Sequence, residues 1–144
     1  MRLEAWLAEQ GFPPGGIEAT QANQTTPLMR ACQLGELGIA EALIEAGASL
    51  DAVNSDGNNA LWLACYSGSL DIIDRLIRAG IAINQQNASS ATCLMYAASA
   101  GKTEVVARLI EAGANCRLQS QDDFTALDMA ANLDCLKLLR AAVR

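Results

Sequence analysis

Apolar residues return along this chain at one fixed interval. Thr26-Pro27-Leu28-Met29-Arg30-Ala31-Cys32 is echoed 33 residues on by Asn59-Ala60-Leu61-Trp62-Leu63-Ala64-Cys65. The same step leads to Thr92-Cys93-Leu94-Met95-Tyr96-Ala97-Ala98 and to Thr125-Ala126-Leu127-Asp128-Met129-Ala130-Ala131. A chain with such a period is a stack of one supersecondary unit. Leu holds the third place of every copy and Ala the sixth, and residues three apart share one face of a helix. Thr26 can cap that helix through its hydroxyl oxygen, and Pro27 loses nothing at the next place, where the N–H has no partner inside the helix. Gly35, Gly68 and Gly101 then allow a tight turn. A second apolar set follows: Ile39/Ala40 with Leu43/Ile44, Ile72/Ile73 with Leu76/Ile77, and Val105/Val106 with Leu109/Ile110. The spacing i, i+1, i+4, i+5 predicts a second helix with a broad buried stripe. It ends at Gly47, Gly80 or Gly113, where a residue without Cβ takes the left-handed conformation that satisfies the last carbonyls. Each unit reads as helix, turn, helix and polar connector.

The Thr-Pro-Leu-x-x-Ala motif at this period, with Gly47-Ala48 and Gly113-Ala114 just after the second helix, resembles the ankyrin repeat over about residues 21 to 144. The fold class this implies is all-α: an ankyrin-repeat solenoid of helix-turn-helix units with hairpin-like connectors, forming a short curved slab. Members of that family usually carry His after the Leu, bonding back toward the Thr. Met29, Trp62, Met95 and Asp128 stand there instead, so packing is expected to replace a polar lock. The units fall at 21–53, 54–86 and 87–119 as full repeats within a single domain spanning 1–144. Residues 1–20 form an N-terminal capping helix and loop, and 120–144 a shortened C-terminal capping repeat.

The two ends depart from the unit. Leu3, Leu7 and Gly11 parallel Ile39, Leu43 and Gly47, so the chain begins halfway through a repeat. A lone second helix can cover the apolar end of a stack while Arg2, Glu4 and Glu9 face water, and Trp6 is expected to pack on the first full unit. Pro13-Pro14-Gly15-Gly16 breaks any helix, and the loop there is three residues longer than its counterpart after Gly47, which makes it the expected mobile stretch. In the fourth unit the turn is about three residues short, Asp134 is the expected cap of a shortened second helix, and a stand-alone array is expected to close there.

Connectors at 48–58, 81–91 and 115–124 carry the turn pairs Asp56-Gly57, Ser89-Ser90 and Asp122-Asp123. The latter two lack the glycine that makes positive φ inexpensive. Equivalent tips of stacked units stand in a row, and their residues differ from copy to copy: Asn23 and Thr25, Asp56 and Asn58, Ser89 and Ala91, Asp122 and Phe124. First-helix places Gln33, Tyr66 and Ser99 vary likewise beside invariant Leu and Ala. In ankyrin-repeat proteins generally, turn tips and the groove side of the first helices bind partners. The resemblance therefore assigns partner binding to Asn23, Thr25, Gln33, Asp56, Asn58 and Trp62, and to Tyr66, Ser89, Tyr96, Ser99, Asp122 and Phe124. Trp62, Tyr66 and Tyr96 are the bulkiest of these, and aromatics are frequent binding hot spots. Trp62 and Tyr96 equally suit the space left by the absent His.

Composition narrows the chemistry. Of the 144 residues 51% are apolar but only 4% aromatic, as closely stacked Ala- and Leu-rich helices require. A net charge of −6 without a basic cluster repels phosphate backbones and excludes nucleic acid as the expected partner. The longest apolar run, Ala60 to Tyr66, is seven residues, against the ~20 that cross a bilayer, and Glu4 and Glu9 interrupt any secretory h-region. The expectation is a cytoplasmic protein with no membrane partner, monomeric alone. Five cysteines without a C-x-x-C pair favour neither a disulfide framework nor a zinc site. Cys32 and Cys65 occupy the small place that is Ala98 and Ala131 elsewhere, whereas Cys93 and Cys116 are expected off the strict core places. With no His, imidazole-activated nucleophiles and imidazole metal ligation are absent, and no phosphate-binding Gly motif occurs. No cofactor or metal is expected. Non-catalytic scaffolding through another protein is the reading. The alternatives are a regulatory or inhibitory subunit of an enzyme, or a redox-responsive scaffold using Cys93 or Cys116.

Overall fold

The computed structural model describes residues 2–144, and among these it is all-α, with nine α-helices and no strand. The first helices are α2 (Pro27–Leu34), α4 (Ala60–Ser67), α6 (Cys93–Ser99) and α8 (Ala126–Met129). Each begins where its sequence offers a cap. The side-chain oxygens of Thr26, Asn59 and Thr92 accept from the amides of Met29, Trp62 and Met95, each at 3.2 Å. The second helices are α3 (Leu37–Glu45), α5 (Leu70–Arg78), α7 (Thr103–Glu111) and α9 (Leu133–Ala142), and α1 (Arg2–Glu9) precedes them all. Gly35 and Gly47 end α2 and α3 at φ of 73° and 91°, and nothing lies within 4 Å of where their Cβ atoms would stand. Backbone conformation, not space, selects glycine at both.

Two compact units result, 1–81 and 82–144. In the first, α2 packs on α4 and α3 on both α1 and α5. Leu28, Ala31 and Cys32 of α2 are buried, as are Leu61, Ala64 and Cys65 of α4. The stripes Ile39, Ala40, Leu43 and Ile72, Ile73, Leu76 are buried too, as the paired spacing requires. At the N-terminus Leu7 is buried as expected while Leu3 is only partly covered. Trp6 takes up the remaining contact, stacking on Phe12 with ring centroids 6.3 Å apart. The longer loop that follows is anchored: the Glu18 carboxylate accepts from the amide of Ser49 at 3.1 Å, and Gln21 Nε2 donates to the Gln10 carbonyl.

In the second unit α6 packs on α8 and α7 on α9. Leu94 and Ala97 are buried, but Leu127 and Ala130 are only partly so. This departs from four equivalent interior leucines. Helix α8 has four residues, Ala130 has left helical geometry (φ −56°, ψ 121°), and the helices that pack on it are α6 and α9. The shortening thus falls on the first helix, and α9, at ten residues, is not shortened. Nor is Asp134 its cap. The carbonyl oxygen of the Asn132 side chain accepts from Cys135 N at 2.8 Å, because the truncated turn starts the helix at Leu133 and leaves Asp134 within its first turn.

The missing His is replaced in two ways. Met29 and Met95 are buried to 1% exposure and fill the place by packing. Asp128 instead restores a polar lock: its carboxylate accepts from Thr125 N at 2.9 Å while Thr125 Oγ1 accepts from Asp128 N at 3.3 Å. That reciprocal pair is a capping box, so packing is not the sole substitute.

Candidate functional site

The connector tips are built alike. Residues 21, 54, 87 and 120 donate their amides to the carbonyls of residues 25, 58, 91 and 124 at 2.9–3.0 Å. Each loop turns through a left-handed residue: Gln24, Gly57, Ser90 or Asp123, with φ between 55° and 82°. Ser90 and Asp123 adopt this conformation without being glycine, as their sequence positions implied. Three of the loops are also held from inside. Asn54 Oδ1 accepts from the amides of Asp56 and Asn58 at 3.0 and 3.1 Å, and Asn87 Oδ1 does the same for Ser89 and Ala91. Ser120 Oγ accepts longer bonds from Asp122 and Phe124. Sequence reasoning missed these three residues, although Asn and Ser two places before a turn are the signal for such side-chain turns.

Adjacent tips within each unit are bonded together. In the first, Ser55 N donates to Asn23 O at 3.0 Å and Asn23 Nδ2 to Asp56 Oδ2 at 3.3 Å. In the second, Gln121 N donates to Ser89 O at 3.0 Å, and Gln86 Nε2 reaches the carbonyls of both Ser90 and Gln119.

Between the first unit's tips and its helices α2 and α4 lies an open depression of about 300 Å³. Asn23, Thr25, Gln33, Asp56, Asn58, Trp62 and Tyr66 all line it, joined by Asn54 and Leu63. Tyr66 is 55% exposed, whereas Thr25 and Asn58 are buried and contribute mainly to the turns, as Thr25 Oγ1 does by donating to Ala22 O at 3.0 Å. Trp62 is partly buried. The five other sequence-assigned residues belong to the second unit and do not line this depression. Ser89 and Asp122 are exposed at their tips, and Phe124 is 52% exposed beside one. Exposed Ser99 turns its hydroxyl back onto the Tyr96 carbonyl at 2.9 Å, and Tyr96 itself is partly buried.

The cysteines do not behave as surface thiols. All five are free and buried. Cys93 and Cys116, expected off the core, are only 3% and 8% exposed, and their sulfurs face the carbonyls of Ile83 and Ala114 at 3.6 Å. Burial pushes the Cys32 thiol up to about 12. It also raises that of Cys116, with the charge of Arg117 opposing. Such thiols are poor nucleophiles. Among the described residues no group of three or more acidic or cysteine side chains could hold a metal ion, and no helix is long and apolar enough to cross a membrane.

Capped helix pairs at a 33-residue step, closed by hydrogen-bonded hairpin tips, define a repeat module whose exposed edge varies. The family model for ankyrin repeats, three copies long, matches residues 5–87 and 68–143, and the chain belongs to the ankyrin-repeat family. No curated protein matches it. Ankyrin repeats are generally protein–protein interaction modules and typically non-catalytic.

Proposed function

We propose that this protein is a non-catalytic scaffold or adaptor that holds another protein against the tips and first helices, with the depression beside Trp62 and Tyr66 as its principal contact. The observation that carries this reading is the convergence of seven variable positions from two tips and two helices on one open depression. Gln33 and Tyr66 present exposed side chains there, and a partly exposed aromatic pair offers rigid contact area at low entropic cost. The acidic balance argues against a nucleic-acid partner. Five reduced thiols suit a reducing compartment such as the cytoplasm, and their burial argues against the redox reading.

Photo-crosslinking tests this. A benzophenone side chain at Gln33 should trap a partner in the source cells, while one at Asp71, on the exposed side of α5, should not. Trp62→Ala/Tyr66→Ala in a folded protein should abolish the adduct. Equal trapping at both positions, or an adduct indifferent to the double variant, would remove the assignment.

A further inference from the structure

The first unit carries the chain's whole formal charge, with ten acidic against four basic residues, while the second balances six against six. The depression lies in the acidic unit, and Asp56 is the one charged residue on its wall among those described. Its carboxylate sits at an exposed tip, held from one side by Asn23 Nδ2 at 3.3 Å. Trp62 and Tyr66 are one turn apart on α4 and so share a helix face. Both contribute to the wall.

We infer that the depression accepts an arginine side chain presented by an extended segment of the partner protein. Asp56 pairs the charge, and the rings of Trp62 and Tyr66 stack on the guanidinium plane. This rests on the reading of this face as the protein-binding one. Its volume is at the lower end for a ligand pocket, which suits one long side chain better than a whole small molecule. A planar, weakly hydrated cation gains from aromatic faces and from a carboxylate together, and arginine exploits both better than lysine. The amides of Asn23 and Gln33, also on the wall, offer donors and acceptors to the backbone that carries the arginine. Charge complementarity across the acidic unit favours a basic segment and speeds its approach.

The test uses the full chain and an immobilised library of acetylated pentapeptides with a varied central residue between Gly and Ser flanks. Arginine at the centre should bind most tightly, with an affinity that falls as salt is raised. Asp56→Asn should weaken the arginine peptides by about fivefold, as expected for an exposed ion pair, and leave neutral peptides unchanged. Asp56→Lys should remove the preference altogether. Both changes keep the turn itself, to which Asp56 contributes its backbone amide through Asn54, and alter only the exposed side-chain bond from Asn23 Nδ2. Trp62→Ala should cost about thirtyfold if the ring is a hot spot, and Tyr66→Ala, at an exposed position, keeps that arm informative if the tryptophan variant is unstable. A preference for acidic or aliphatic centres that still depends on Trp62 and Tyr66 would overturn the arginine assignment and leave the groove reading standing. Binding indifferent to both aromatics would overturn the two together. A library with no binder would also overturn the arginine assignment, the groove reading then resting on the crosslinking result.

Discussion

Replacing Cys32 by Ala should lower stability at neutral pH and raise it in alkali, and the sign change can be worked from one buried sulfur. Cys32 is fully buried on α2, and burial lifts its thiol from the ordinary 9.0 to about 12. Below pH 9 the folded and unfolded chains both hold the proton, so the group adds no pH dependence. Above it the unfolded chain releases the proton while the folded chain keeps it, and stability falls by ~1.4 kcal/mol per pH unit until about 12. At pH ~10.5 the parent has therefore lost about 2 kcal/mol through this thiol alone. Alanine has no such group, and the chain already places Ala98, fully buried, at the equivalent position. At pH 7 the substitution costs about 1 kcal/mol of packing around the missing sulfur. The variant should thus be less stable than the parent by about 1 kcal/mol at pH 7 and more stable by about the same at pH ~10.5. Urea unfolding of both proteins under reductant, across that range, reads the difference directly, since every other titrating group is common to the pair. A difference that stayed flat with pH would refute the claim that this thiol is deeply buried in the folded state.

Ser90→Gly and Asp123→Gly should each raise the unfolding midpoint, by about 0.5–1 kcal/mol in free energy, since both residues sit at positive φ where glycine is unstrained; a lowered midpoint would show that the tip tolerates the side chain at no cost. Asn132→Ala should destabilise α9 by about 1 kcal/mol, measurable as faster amide exchange across 133–142, whereas Asp134→Ala should change it by less than about 0.5 kcal/mol. Leu61→Ala should cost about 2–5 kcal/mol from a fully enclosed site, and Leu127→Ala, at a partly exposed one, about 1 kcal/mol; equal losses in denaturant unfolding would contradict the difference in burial.

Much of the architecture was legible because its signals are local and recur. Thr or Asn before each first helix, glycine after each second one, and the paired apolar stripe need no knowledge of distant residues, and every full repeat follows them. Misreadings arose where a residue was judged alone and not by its register. Cys93 shares its place with Pro27, Ala60 and Ala126, and all four are buried, so the period itself placed that sulfur inside. Asp128 completes a Thr-x-x-acid pattern that is a capping-box signature. Leu127 was the opposite error: it obeys the period, but the period says nothing about whether the next neighbour exists to cover it. The depression was foreshadowed by variable positions, yet its closure depends on Asn54 and the bonds between tips, which no spacing rule reveals.

Those bonds explain how such an edge can vary without loss of the fold. The turn at each tip is closed by backbone atoms, and in three of them it is braced by the side chain at its base: Asn54, Asn87 or Ser120. The backbone link from tip to tip uses the carbonyl of residue 23 or 89 and the amide of 55 or 121, with side-chain bonds from Asn23 to Asp56 and from Gln86 to Gln119 added to it. Apart from the exposed Asn23–Asp56 contact, none of these bonds depends on which side chain stands at 23, 56, 89 or 122. Backbone hydrogen bonds therefore hold the edge's shape, and its side-chain chemistry can change at almost no cost in stability. Substitution at Asn54 should accordingly loosen the tip whatever it binds. Substitution at Asp56 should keep the turn, give up only the exposed bond from Asn23 and act mainly on what is bound, which separates scaffold from recognition within two residues of each other.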